Sequence, residues 1–184
     1  MEGAYRIGRR VYLRPPEPGD VPAMVRWMNN PDVTRTLRIW RPMGSGAERE
    51  WIERVSKAPD ELACVIVTRE DDRAIGTCGL MRIDWVGRSA GFGIGIGEPE
   101  AWGKGYGTDA TELMVTLAFE TLNLNRVWLE VFAGHDAAKH VYEKCGFRME
   151  GTQRQAAFKD GAYLDAHLMA VLRSEWEKGR AGSR

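Results

Sequence analysis

The stretch "GFGIGIGEPEAWGKGYGTDA", Gly91–Ala110, decides how this chain is read. It opens as a strand and ends in Gly103, Gly105 and Gly107 at alternate positions. A helical pattern follows at once in "TDATELMVTLAFETLN", with Leu113, Leu117 and Thr121 recurring at helical spacing. Glycine weakens a helix by about 1 kcal/mol per residue. Glycines at a helix entrance therefore mean a tight turn or something that comes very close to the backbone. The strand "NRVWLEVF" comes next. Strand, glycine turn, helix and strand make a β-α-β unit, whose two strands should be parallel neighbours.

Upstream, "ELACVIVTRE", "RAIGTCGLMRIDW" and "SAGFGIGIGE" are strands joined by "DDR" and "VGR" turns, an antiparallel meander. "RRVYLRPP" reads as a first strand stopped by Pro15-Pro16. "GDVPAMVRWMNNP" reads as a helix with Asp20 as its N-cap, and "GAEREWIERVSKAP" as one with Trp51, Ile52 and Val55 on one face. The Arg-rich "DVTRTLRIWRPMGSG" between them is irregular. Downstream, "HDAAKHVYEKCGF" is a helix closed by Gly146, and two strands flank the "KDG" turn. The expected fold is α/β: one domain, 1–173, with a mixed sheet, antiparallel in its first half, and helices on both faces. Residues 174–184 read as a polar, frayed tail.

The 184 residues suffice for one domain with a proper core. Lys plus Arg and Asp plus Glu are 26 each, which argues against a broad basic surface for direct nucleic-acid binding. The three cysteines lack C-x-x-C spacing, and the three histidines lack metal spacing. No metal site is expected, and a reducing cytoplasm fits best. No secretory h-region and no run of 18 apolar residues is found, so no membrane association is expected.

A helix N-terminus presents unpaired N–H groups and the positive end of the helix dipole. Glycines before it leave those amides unshielded. "GKGYGT" is thus a candidate phosphate cradle, with Lys104 beside it. It matches neither the Walker pattern nor the dinucleotide fingerprint.

Three segments, "GIGIGEPEAWGKGYGTDA", "RVWLEVFAGHDAAKHVYEKCGFRMEG" and "KDGAYLDAHLMAVL", together resemble the GCN5-related N-acetyltransferase (GNAT) superfamily. The branch they resemble holds the RimJ/RimL-type protein N-terminal acetyltransferases and the spermidine acetyltransferases. The resemblance implies acetyl-CoA as co-substrate. It implies a strand splayed from its parallel neighbour, whose backbone around Gly95, Ile96 and Gly97 pairs with the pantetheine arm. The amides of Trp102, Gly103, Lys104, Gly105, Tyr106, Gly107 and Thr108 would hold the pyrophosphate. Trp102 stands where Arg or Gln is usual, and His135 where an Asn usually bonds the pantetheine. Ala138 lies on the helix face turned to the cofactor. Lys139 and Lys144 are phosphate partners by analogy of position, or a solvated helix face. A homodimer is common in this branch, and no residue marks an interface.

Acetyl transfer needs a neutral amine, a polarised carbonyl and a proton for the leaving thiolate. The resemblance names Tyr142 as the acid. Glu130 is the first candidate base, with Glu98, acting through water, as the alternative. Arg38 and Trp40, with Arg35 and Arg41 nearby, fall in the expected acceptor loop. There Trp40 is either an acceptor contact or a plug in the core. The arginines disfavour a polyamine and suit an acceptor bearing a carboxylate. The expected reaction is acetylation of a primary amine, first a protein or peptide N-terminal α-amine. A small-molecule amine, aminoglycoside or amino-acid-like, is the alternative acceptor. A non-catalytic acyl-CoA-binding module is the rival of another class.

Overall fold

A computed structural model of the chain describes residues 3–181. Eight strands form one sheet in the order β1-β2-β3-β4-β5-β6-β8-β7. They are β1 (Arg6–Ile7), β2 (Val11–Arg14), β3 (Leu62–Thr68), β4 (Ala74–Asp84), β5 (Ser89–Ile96), β6 (Arg126–Phe132), β7 (Arg148–Lys159) and β8 (Ala162–Leu172). The helices are α1 (Val21–Met28), α2 (Pro31–Thr34), α3 (Ser45–Lys57), α4 (Tyr106–Thr116), α5 (Asp136–Lys144) and α6 (Arg173–Ala181). The mixed α/β fold is as expected, and the β5-α4-β6 unit supplies its one parallel pair.

The continuous apolar run of β3 has a simple cause. Cys64 and Ile66 join Val11 and Leu13 in the large core under α4 and α5, while Val65 and Val67 join Tyr12 on the other face. Successive strand residues point to opposite faces, so a strand covered on both sides is apolar throughout. On that second side, Val21, Met24 and Trp27 of α1 pack against Ile52 of α3.

Three expectations change. Asp20 precedes α1, but its carboxylate makes no cap bond. It accepts instead from Arg14 at 2.8 and 2.7 Å and from the Glu17 amide at 2.8 Å. The Arg-rich segment begins with α2, capped by the Asn30 side chain. The tail expected to fray is, as far as Ala181, the helix α6. Trp176 docks it against Phe119, ring centroids 5.4 Å apart. One tryptophan leaves no periodic apolar stripe to read. Residues 182–184 lie outside the described residues.

What positions the site is the splay. β5 and β6 pair only at Ser89–Arg126, Ala90–Val127 and Gly91–Trp128. β6 then stays with β8 as far as Phe132. β5 stays with β4 as far as Ile96. From Phe92 onward one edge of β5 has no partner strand.

Candidate active site

The Gly97 N–H donates to the Ile75 carbonyl at 2.8 Å, so Gly97 faces β4. By alternation Gly95 faces β4 as well, and the backbone groups of Ile94 and Ile96 face the open edge. Of the three residues expected there, only Ile96 presents its groups to the cleft, and Ile94 joins it. The reason for Gly97 also changes. A Cβ at Gly97 would stand 2.1 Å from the Trp27 ring. The approach that demands this glycine comes from the chain's own α1.

The Ile96 carbonyl accepts from the Trp102 indole N–H at 2.9 Å. Trp102, at the atypical first position of the loop, thereby closes the loop onto the strand end. Gly103 and Gly105 hold φ of 73° and 80°, the left-handed region where a Cβ is strained. Gly105 is the residue before α4, so the first-turn amides of Tyr106, Gly107 and Thr108 have no helical acceptor. The Lys104 side chain is exposed, while its carbonyl accepts from Arg10 at 3.1 Å. Asp109, one turn on, is buried and accepts from the amides of Arg9, Arg10 and Val11. Neither Arg10 nor Asp109 was expected at the loop.

Tyr142 lies on α5, 8% exposed. Phe92, the first β5 residue past the parallel pairing, meets its ring edge-on at 6.3 Å. Phe147 lies at 5.9 Å. Burial pushes the Tyr142 phenol up to about 12. No buried side-chain oxygen or nitrogen among the described residues lacks a partner. The phenol makes no hydrogen bond with the described residues, so its oxygen keeps some access to solvent. Tyr142 thus stands where the strands part.

The two candidate carboxylates fare differently. Glu98 is nearly enclosed: Oε1 accepts from Trp27 Nε1 at 2.7 Å and pairs with Arg26, and Oε2 faces Arg73 at 3.7 Å. Those contacts engage both carboxylate oxygens. Glu130 Oε2 accepts from Arg38 Nη2 at 2.8 Å, and its other oxygen is left free by the described residues. Arg38 also reaches the Ala156 carbonyl at 2.9 Å and covers the Phe132 ring at 5.4 Å.

His135 precedes α5 and is half-buried, without a side-chain cap bond. Burial, with Arg35 adding to it, holds its imidazole below the usual histidine value, which favours the neutral ring. A neutral imidazole both donates and accepts. Ala138 packs against the core. Lys139 faces Glu143 at 3.8 Å, and Lys144 is exposed without a carboxylate partner among the described residues.

A cavity of about 620 Å³ opens between the segment after α2 and the β7–β8 hairpin. Arg35, Arg38, Trp40, Arg41, Phe158 and Lys159 are among its walls. Trp40 is 86% exposed, so it plugs no core. Lys159 holds the segment in place, donating to the carbonyls of Thr34, Leu37 and Ile39 at 2.6, 2.8 and 3.3 Å. Its partners lie more than a hundred residues away in sequence, and no local pattern announces it. Among the described residues no cluster of His, Cys, Asp or Glu is arranged to hold a metal ion, and no helix is long and apolar enough to cross a membrane.

The bare first-turn amides suit an anion, and Gly105→Val tests whether the loop binds one. A β-branched residue at φ 80° must shift the turn that aims the amides. The expected result is a roughly tenfold higher KM for the anionic co-substrate. Melting temperature should fall by several degrees, because the positive φ strains a valine by about 1–3 kcal/mol although an added Cβ meets only the Arg10 side chain within 4 Å. An unchanged KM would remove the loop from the binding site.

Comparison with known proteins matches residues 10–148 to the acetyltransferase (GNAT) domain. Spermidine N(1)-acetyltransferase of Escherichia coli K12 is 32% identical over 167 residues, 90% of this chain and 88% of that protein. The putative ribosomal N-acetyltransferase YdaF of Bacillus subtilis is 36% identical over 107 residues, 58% of each chain. Among solved structures, spermidine N-acetyltransferase from Vibrio cholerae in complex with CoA and spermine superposes with a TM-score of 0.84 at 28% identity. That superposition covers 91% of this chain and 98% of the other.

Proposed function

The chain belongs to the acetyltransferase (GNAT) family and is an acetyl-CoA-dependent N-acetyltransferase; within that activity we propose that it acetylates the α-amine of a protein or peptide N-terminus, with Tyr142 as general acid and Glu130 as general base. Acetyl-CoA supplies the activated thioester. A Cβ added at Gly95, Gly103 or Gly107 would meet nothing within 4 Å, so there is room over the strand and the loop. That room, the unpaired edge of β5 and the bare amides before α4 fit a pantetheine arm and a pyrophosphate.

In this reading the first-turn amides of α4 bind the pyrophosphate, with Lys144 near the phosphates. The Ile94 and Ile96 backbone groups pair with the pantetheine. A β5 amide donates to the thioester oxygen as negative charge gathers there. Glu130 takes the proton of the incoming ammonium, through its free oxygen and a water. As the N–C bond forms and the C–S bond breaks, Tyr142 donates its proton towards the departing sulfur and regains one from the nitrogen of the new amide, so that CoA leaves as the thiol. The observation that carries the assignment is the place of Tyr142: a phenol with no hydrogen bond to the described residues, beside the residue where β5 and β6 separate.

The α-amine is favoured over a lysine side chain because its pKa of about 8 leaves more of it neutral near pH 7 than one of about 10.4. The likeness to YdaF, named a putative ribosomal N-acetyltransferase, supports a protein acceptor. A second reading, a small-molecule amine, is favoured by the relatives named for spermidine. Release of free CoA thiol, followed with N-terminally free peptides and with spermidine, separates the two. Peptides turned over faster than spermidine support the first reading, and the reverse order refutes it. For the base, Glu130→Gln is expected to lower kcat by about 10²-fold. A kcat within threefold of wild type in this variant would dismiss Glu130.

A further inference from the structure

The walls of the 620 Å³ cavity carry an unbalanced charge. Four of its lining side chains are cationic, Arg35, Arg38, Arg41 and Lys159, and one, Asp160, is acidic. Their present partners matter. Arg38 is matched by Glu130. The Lys159 ammonium has three carbonyls, which satisfy its donors and leave its charge. Arg35 and Arg41 are exposed, and neither side chain meets a carboxylate among the described residues. Arg41 lies over the Trp40 ring at 5.7 Å. Arg35 is near enough to His135 to bear on its imidazole, so the positive field reaches the start of α5. Two guanidinium groups without a carboxylate partner among the described residues thus line the cavity, and the field of one, Arg35, reaches His135 at the start of α5.

Ordinary surface arginines are solvated and carry no message. These two differ in lining a concave, aromatic-walled space whose one lining carboxylate is Asp160, against four cations; Glu130, outside the lining, is already paired with Arg38. A guanidinium presents parallel N–H donors that match a carboxylate. A polyamine would bring two or more further positive charges into the same space. Like charges brought together in a cleft oppose binding, and low-dielectric walls strengthen the effect.

We infer that the acceptor is a primary amine carrying a carboxylate a few bonds from the nitrogen, and that Arg35 and Arg41 are the residues that select it. This rests on the acetyl-transfer reading and narrows its substrate class. For a peptide, the carboxylate belongs to Asp or Glu just after the N-terminus. For a small molecule, it belongs to the acceptor itself.

The test measures kcat/KM by CoA release for four acceptors: a peptide beginning Ala-Asp-Glu, its Ala-Lys-Lys counterpart, a small ω-amino carboxylate, and spermidine. The wild-type protein is compared with the Arg35→Glu/Arg41→Glu double variant. Both positions are exposed, so the fold should survive, and calorimetric CoA affinity checks the cofactor side. The expected result is at least a tenfold preference for a carboxylate-bearing acceptor over the lysine peptide and spermidine, lost or inverted in the double variant. Preference for the small carboxylate over every peptide would uphold the inference and reject the N-terminal reading. Preference for the lysine peptide would do the opposite. Spermidine as the best wild-type acceptor would overturn both. An acceptor ranking that the double variant leaves unchanged would overturn the assignment of Arg35 and Arg41 as the selecting residues.

Discussion

Tyr142→Phe is expected to lower kcat by about 10²–10³-fold, the range seen when one hydrogen-bond donor to developing charge is removed. The argument starts from packing. The Tyr142 ring is held by Phe92 and Phe147, and a phenylalanine ring keeps both contacts. The hydroxyl has no partner among the described residues, so its removal orphans none of their groups. Stability and acetyl-CoA KM should therefore change little, and the loss should fall on kcat. The phenol, pushed up to about 12, is fully protonated at every pH near neutrality. Its proton is then always available, and Tyr142 adds no limb to the pH–rate profile between pH 6 and 10. A free thiol has a pKa of about 8.5. A full transfer from so weak an acid is uphill, so Tyr142 acts by donating as the C–S bond breaks. Steady-state kinetics with both substrates saturating decide the matter. A variant within threefold of wild-type kcat would deprive Tyr142 of the acid role.

The sequence showed the sheet and the loop because both are written in local periods. β3, β4 and β5 alternate or run apolar, and the glycines of the loop precede a helical pattern without interruption. The parallel pair followed from chain order alone. What the sequence hid are contacts between distant segments. The Trp27 ring on α1 dictates Gly97, 70 residues later. Arg26 and Arg73 come from two separate elements to enclose Glu98, and so leave Glu130 as the carboxylate with a free oxygen. Which face of β5 meets β4 depends on register, and a one-residue shift exchanges Gly95 and Gly97 for Ile94 and Ile96 as the groups on the open edge. Trp40 was ambiguous because exposure cannot be read from residue type.

Asp109 shows the same limit with a larger expected effect on stability. In the sequence it is an acid in the first turn of a helix, where the dipole alone explains it. In the fold it is buried, and its carboxylate gathers three amides of the β1–β2 turn: Arg9 at 3.2 Å, Arg10 at 2.7 Å and Val11 at 2.9 Å. It also explains Gly8, where a Cβ would stand 2.5 Å from the carboxylate. Asp109→Ala leaves those donors without their acceptor. An unsatisfied donor costs about 1–3 kcal/mol when fully buried, and water reaches part of this turn, so a total of about 3 kcal/mol is reasonable. For a chain of this size that corresponds to a fall in melting temperature of about 6–12 °C. Asp109→Asn keeps one carbonyl oxygen and should lose about half as much. Function follows from the same contact. Arg10 carries the bond to the Lys104 carbonyl, so releasing the turn releases the glycine loop. Acetyl-CoA KM should then rise in both variants at temperatures where they remain folded, while kcat at saturation stays closer to wild type. A thermal melt and a KM titration suffice. If Asp109→Ala melts within 2 °C of wild type, the carboxylate is not what joins α4 to the first hairpin, and the loop must draw its order from Trp102 and the Ile96 carbonyl instead.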